Sequence, residues 1–291
     1  MNFKGSTQKI DLIGDIHGHY LELRLMLEKF GYSFQGLNLA HPENRKLAFV
    51  GDFINRGPQS VEVLKLVKSL QESGEAFVVL GNHEFKLVQN LVAGNSIPDE
   101  FIPFIAWLRT LPLFLELETL RIVHAAWHFS SIKILEQALV ADDLFIKETF
   151  EKESMYKRAS QSILSGIKTT IPKDLKLVDR FAIPRTKGRL KWWLDLRGKP
   201  YSECFFSPMF PEISDRGPIE TEVSMLEPYT QQEKPVFIGH YCLPPNIPKI
   251  FGQVVCLDGC VTCDKRLWGY RYEGEHIPET SNLIQVKLEE I

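Results

Sequence analysis

Between residues 9 and 92 one arrangement occurs three times: a short apolar run, a glycine followed by a polar residue, then apolar residues at helical spacing. The runs cover residues 10–13, 47–50 and 77–80, each the length of a buried strand. Gly14-Asp15, Gly51-Asp52 and Gly81-Asn82 close them. Residues 20–30, 60–70 and 84–92 then repeat apolar side chains at three and four, which predicts amphipathic helices with core stripes. Alternating strands and helices imply parallel pairing through right-handed crossovers, and such sheets bind ligands beyond the C-terminal ends of their strands. Three polar loops would therefore meet at one rim.

Beyond this unit, residues 99–110 predict a helix, and 113–117 and 120–124 predict strands with a turn near Glu118 and Thr119. Residues 131–168 have a helical pattern, whereas 171–229 are irregular and richer in proline and glycine. Strands return at 235–238, 253–257, 266–272 and 282–288. The expected fold is mixed α/β, a two-layered β core with helices outside, as one domain over 1–291 with 130–234 as a cap insertion.

The chain has 291 residues, 44% of them hydrophobic, enough for a substantial core. A formal net charge of -3 offers no general attraction for nucleic acid or an anionic membrane, so an anionic substrate must be drawn by a local site. No segment approaches the ~18 apolar residues that span a bilayer, and residues 1–14 lack a signal-peptide core. The 5 cysteines all follow position 200 and form no even framework, so reduced thiols and a cytoplasmic location are expected. Cys256, Cys260 and Cys263 contain one Cys-x-x-Cys, which favours buried thiols over a zinc site.

The chemistry lies in Gly14-Asp15-Ile16-His17-Gly18, Gly51-Asp52-Phe53-Ile54-Asn55-Arg56-Gly57 and Gly81-Asn82-His83-Glu84. One Gly-Asp after a strand is an ordinary turn. Three in order, each with a metal-type neighbour, are hard to explain that way. Carboxylate, imidazole and amide oxygen together suit manganese, iron or zinc, and the two oxygens of Asp52 could bridge two metals about 3.5 to 4 Å apart.

With Ile122-Val123-His124-Ala125, Phe237-Ile238-Gly239-His240 and Leu257-Asp258-Gly259-Cys260, these motifs resemble the calcineurin-like metallophosphoesterase superfamily. Within it the sequence is similar to the phosphoprotein phosphatases and the symmetrical diadenosine tetraphosphatases. The resemblance implies a four-layer α/β/β/α core and two divalent metals, manganese foremost, with iron or zinc as alternatives. It implies that Asp15 and His17 hold one metal, that Asn82, His124 and His240 hold the other, and that Asp52 bridges them. A metal-activated hydroxide would attack the phosphate ester, Arg56 would hold phosphate oxygens, and His83 would protonate the leaving group.

Asn55 departs from the protein phosphatase pattern, which has an acidic residue there to pair with the catalytic histidine. An amide stabilises imidazolium less than a carboxylate does, so a lower His83 pKa is expected. Arg56 through Leu70, Trp107-Leu108-Arg109 and Leu111-Pro112 look like the tetraphosphatase branch, whereas Glu84 is the protein phosphatase choice. His19, His41, His128 and His276 receive no assignment. The run from Arg185 to Trp193 would either supply a second phosphate clamp, with Arg189 as substrate contact and tryptophans for stacking, or be a solvated face with buried aromatics.

The functional expectation is a phosphoprotein-phosphatase-like hydrolase acting on a phosphoprotein, nucleotide or dinucleoside polyphosphate. The alternatives are a symmetrical bis(5'-nucleosyl)-tetraphosphatase and a non-catalytic metal-binding scaffold.

Overall fold

The computed structural model describes residues 9–35, 38–171, 183–206, 217, 223 and 226–288. The first part runs β1 (Ile10–Ile13), α1 (Tyr20–Phe30), the hairpin β2 (Ser33–Gln35) and β3 (Asn38–Ala40), β4 (Lys46–Phe49), α2 (Ser60–Glu72), β5 (Ala76–Val78) and α3 (Asn82–Val92). After a 3-10 turn, Asp99–Phe104, come α4 (Ile105–Leu108), β6 (Phe114–Glu116), β7 (Arg121–Val123), α5 (Phe129–Leu135), α6 (Asp143–Glu148) and α7 (Met155–Ser165). The hairpin β8 (Lys168–Thr170) and β9 (Lys187–Arg189) and α8 (Tyr201–Cys204) follow. The chain closes with β10 (Val236–Ile238), β11 (Ile250–Phe251), β12 (Val254–Cys256), α9 (Val261–Asp264), β13 (Arg266–Tyr272) and β14 (Leu283–Lys287).

Two five-stranded sheets form, in the orders β14-β13-β1-β4-β5 and β11-β12-β10-β7-β6. As the crossovers require, β1 pairs parallel with β4, and β4 with β5; β13 returns antiparallel along the other side of β1. In the second sheet β10 lies parallel between β7 and β12. Alternate residues of both sheets, including Leu12, Val50, Ile122, Phe237 and Val255, make a buried cluster between them. The outer faces join α1 and α2 on one side, and α5 and α7 on the other, in a larger core. This is the α/β/β/α layering that the resemblance implies.

Several local expectations shift. The helical stretch of residues 131–168 is three helices, because Asp142 and Ser154 cap new starts by accepting the amides of Leu144 and Tyr156. Residues 99–104 wind as a 3-10 turn with Pro103 inside, where an α-helix would lose a hydrogen bond. The hairpins β2–β3 and β8–β9 have strands of three residues, too short to show a period in sequence. Within 130–234, Leu135, Ile146, Ile163, Trp192 and Tyr229 belong to the main core, and a small cluster around Leu190, Tyr201 and Phe205 is added to it. Among the described residues no helix is long and apolar enough to cross a membrane.

Candidate active site

The ligand candidates stand at the strand ends of both sheets. Asp15 follows β1, Asp52 follows β4, Asn82 opens α3 after β5, His124 follows β7 and His240 follows β10. All converge. Asp52 Oδ2 lies 3.5 Å from His17 Nε2, 3.4 Å from His124 Nε2 and 3.9 Å from His83 Nε2. Asn82 Oδ1 lies 3.0 Å from His124 Nε2 and 2.8 Å from His240 Nδ1. Asp15 Oδ2 accepts the His240 amide at 3.0 Å.

The ring orientations are set from behind. His17 Nδ1 meets the Ile54 carbonyl at 3.0 Å and His124 Nδ1 the Val50 carbonyl at 2.9 Å, which leaves each Nε2 turned toward Asp52. Backbone conformation tells the same story. Of the nine non-glycine residues with positive φ among those described, His17, Asp52, Asn55, Arg56 and His240 lie in this cluster. Such conformations cost free energy and gather where geometry serves function. The loops are also interlocked: a Cβ at Gly239 would stand 1.8 Å from Asp15 Oδ1, and one at Gly81 would stand 2.1 Å from Asp52 Oδ1. Only glycine allows these approaches.

One residue that sequence reasoning left structurally unexplained holds the centre together. Buried Glu84 accepts four backbone amides: Asp52 and Gly81 on Oε2, at 2.9 and 3.1 Å, and Phe53 and Ile54 on Oε1, at 2.8 and 3.1 Å. Burial and the Asp52 charge push its carboxyl up to about 7 against those donors. Asp258, part of the Leu257-Asp258-Gly259-Cys260 motif, is given no role by the sequence. It accepts the amides of Cys242 and Cys260 and so brackets the two loops after β10 and β12.

The electrostatics call for a cation. Burial, with the negative fields of Asp258 and Asp52, raises the Asp15 carboxyl well above its ordinary value. Burial works against ionisation of Asp52 too, yet the imidazole of His124, with those of His17 and His83, holds it below the usual range. Asp15 Oδ1 and His240 Nε2 are buried without a hydrogen-bond partner. Buried polar atoms rarely stay unpaired, and a hard or borderline divalent metal suits this oxygen and imidazole set. His17, Asp52 and His83 form one group able to hold a metal, and Asp52, His124 and His240 another.

His83, Asn55 and Arg56 stand at the open side. Asn55 Nδ2 is 2.8 Å from His83 Nδ1, and burial lowers the His83 pKa to about 4, with the positive fields of His17, Arg56 and His124 adding to it against Asp52. Arg56 is exposed. Arg189 enters from β9, where its Nε donates to the Ser165 carbonyl at 3.2 Å. Its positive field lowers the pKa of His240, on which burial is the larger influence.

Other expectations change. Trp192 and Trp193 are 2% and 5% exposed and pack with Tyr229, Phe206 and Phe251, so they offer no stacking surface. Cys242 and Cys260 are joined in a disulfide, contrary to the expected reduced thiols. Parallel strands β10 and β12 bring their following turns side by side, a pairing that cysteine spacing does not reveal. Cys256 stands apart from that pair as a free buried thiol, and Cys263 is free and exposed. His41, His128 and His276 have structural hydrogen bonds, and His19 faces Glu22.

The calcineurin-like phosphoesterase family model matches residues 8–201, and the chain belongs to that metallophosphoesterase family. Among curated relatives, the asymmetrical bis(5'-nucleosyl)-tetraphosphatase PrpE of Geobacillus sp. (strain WCH70) is 46% identical over 87 residues, 30% of this chain and 36% of that protein. Its counterpart from Halalkalibacterium halodurans is 43% identical over 84 residues, 29% of this chain and 34% of that one. The matches thus span about a third of the relatives' length. A cold-active protein-tyrosine phosphatase of a psychrophilic Shewanella has the same fold, with a TM-score of 0.50 and 16% identity over 97% of this chain and 81% of that one.

Proposed function

We propose that the chain is a binuclear-metal-dependent phosphoester hydrolase, with Asp15 and His17 on one ion, Asn82, His124 and His240 on the other, and Asp52 between them. The observation that carries this reading is the convergence of Asp52 Oδ2 with the Nε2 atoms of His17 and His124 beside the unpartnered Asp15 Oδ1 and His240 Nε2. Two divalent ions, manganese foremost, would neutralise phosphate charge and generate the nucleophile from water.

The chain's own side chains do the rest. The Arg56 guanidinium offers two parallel donors to phosphate oxygens, and Arg189 offers a second contact. His83 is the candidate proton donor to the leaving oxygen, oriented by Asn55 through its Nδ1. Because burial lowers its pKa to about 4 and the Asn55 amide supplies no negative charge to oppose this, that ring is a weak source of protons at neutral pH. Substrates whose leaving group needs little protonation are therefore favoured, which fits a phosphoanhydride better than phosphoserine. We assign 130–234 the role of a cap whose β8–β9 hairpin borders the site.

A second reading, cleavage of dinucleoside tetraphosphates, is supported by Asn55 and by the names of the tetraphosphatase relatives. Those names say asymmetrical, whereas the segment after Arg56 resembles the symmetrical branch. Products from diadenosine tetraphosphate separate the two: ADP alone for symmetrical cleavage, ATP with AMP for asymmetrical.

Manganese-dependent hydrolysis of p-nitrophenyl phosphate tests the general reading. Asp52→Asn should lower turnover by more than about 100-fold and reduce bound manganese. Wild-type turnover in that variant refutes the assignment.

A further inference from the structure

We infer that the β8–β9 hairpin is a subsite for an oligophosphate chain, in which Lys168, Lys187 and Arg189 hold the phosphates flanking the one that is cleaved. This inference rests on the phosphoester reading of the site.

The hairpin is fastened to the site's rim. The amides of Ala125 and Ala126, next to His124, donate to the Ile163 carbonyl of α7 at 2.8 and 3.3 Å. Tyr241, next to His240, donates its hydroxyl to the Ala125 carbonyl at 3.0 Å. Gly166, at φ 76°, lies so close that a Cβ there would stand 2.6 Å from that hydroxyl. Lys168 follows two residues later.

The register then sorts the side chains. Lys168 faces Arg189 across the hairpin, and Thr170 faces Lys187, so the cations share one face. Thr169 and Gly188 take the other, where Thr169 is 3% exposed and a Cβ on Gly188 would meet the Phe205 ring at 1.9 Å. Like charges directly opposite each other in an antiparallel pair repel. Among the described residues, no carboxylate lies within ion-pairing distance of Lys168, Lys187 or Arg189, and the fields of Arg189 and Lys168 reach His240.

A single phosphate would not need this row, because Arg56 and the proposed ions would already hold one phosphoryl group. The pairs Lys168/Arg189 and Thr170/Lys187 are spaced about 7 Å along the strands, which suits an extended polyanion. Such a chain would bring the negative charge whose absence makes the hairpin costly.

Calorimetric titration of inorganic tripolyphosphate and of orthophosphate into manganese-loaded wild type, Lys168→Gln and Lys187→Gln tests the subsite by a binding readout. Tripolyphosphate is expected to bind wild type at least about ten-fold tighter than orthophosphate, and each variant to lose about ten-fold of it. The loss for orthophosphate should be smaller. In parallel, kcat/KM for diadenosine tetraphosphate should fall about ten-fold further than that for p-nitrophenyl phosphate. Equal affinity of wild type for the two anions, or equal losses in the variants, overturns the subsite. Selective tripolyphosphate binding by a protein that hydrolyses nothing leaves the subsite standing and removes the hydrolase reading.

Discussion

Glu84 holds Asp52 in place through the backbone: Glu84 Oε2 accepts the Asp52 amide at 2.9 Å, and Asp52 adopts φ 56° above it. The same carboxylate takes the amides of Phe53, Ile54 and Gly81, so one side chain ties the second and third motifs together. Glu84→Ala leaves four amides without an acceptor in a buried place and should cost about 3 kcal/mol or more. Glu84→Gln, with one accepting oxygen, should lose less. Urea denaturation midpoints measure both, and an alanine variant as stable as wild type contradicts the clamp.

The Asn55–His83 contact predicts a pH effect. With the His83 pKa at about 4, the imidazole is almost wholly neutral at pH 7. Asn55→Asp places a carboxylate at Nδ1, and a negative neighbour favours imidazolium, so the pKa rises. The alkaline limb of kcat should move up by about one pH unit or more. A phosphoserine peptide should gain more than p-nitrophenyl phosphate, whose leaving group needs no proton. Identical profiles for the two enzymes rule out proton donation by His83.

Lys168 makes stability depend on pH. Burial, followed by the fields of Arg189, Lys187 and Arg185, brings its pKa from 10.5 down to about 8. Below about 8 both folded and unfolded chains carry the proton, and the folded one bears the full cost of burying that charge beside its cationic neighbours. Between about 8 and 10.5 the folded chain has released a proton that the unfolded chain keeps, so stability rises with pH across that window. Lys168→Gln should therefore raise the melting temperature at about pH 7 and much less at about pH 10. A difference that does not change with pH refutes the lowered Lys168 pKa.

The Cys242–Cys260 disulfide closes a loop with a sequence separation of 18 that begins two residues after His240. Loop closure of that size contributes about 3 kcal/mol. Cys242→Ser should lose that order of stability and weaken manganese binding, because the His240 turn is no longer tied covalently to Cys260. Denaturation and metal titration of the variant, beside wild type under dithiothreitol, check both. No change in either would mean that the Asp258 hydrogen bonds suffice.

What could be read in advance follows from range. Residues 10–92 repeat strand, turn and helix within short sequence spans, so periodicity found β1, β4, β5 and the helices beside them to within about two residues. The six ligand candidates were legible as residue types after strands, and the structure brings them within a few ångströms of one another. Glu84 was visible as a letter, but its task depends on four amides that only the folded loops present. The β8–β9 hairpin escaped because three-residue strands carry almost no period, and the Cys242–Cys260 pairing because it depends on the parallel pairing of β10 with β12. Trp192 and Trp193 illustrate the converse: a basic run ending in aromatics has the same pattern whether its rings point outward or inward.

The strand order has one more consequence. Asp15, His17, Asp52 and Asn82 extend from the first sheet, His124 and His240 from the second, so of the two proposed ions the one assigned to Asn82, His124 and His240 would draw on both sheets. That ion would act as a rivet through the sandwich, drawing the two layers together. At a free concentration of 100 times its dissociation constant, one such ion would add about 2.7 kcal/mol to the folded state. Metal occupancy and the cohesion of the two layers would then be one thermodynamic quantity, and a substitution deep between the sheets would be felt as a weaker grip on metal long before the chain unfolds.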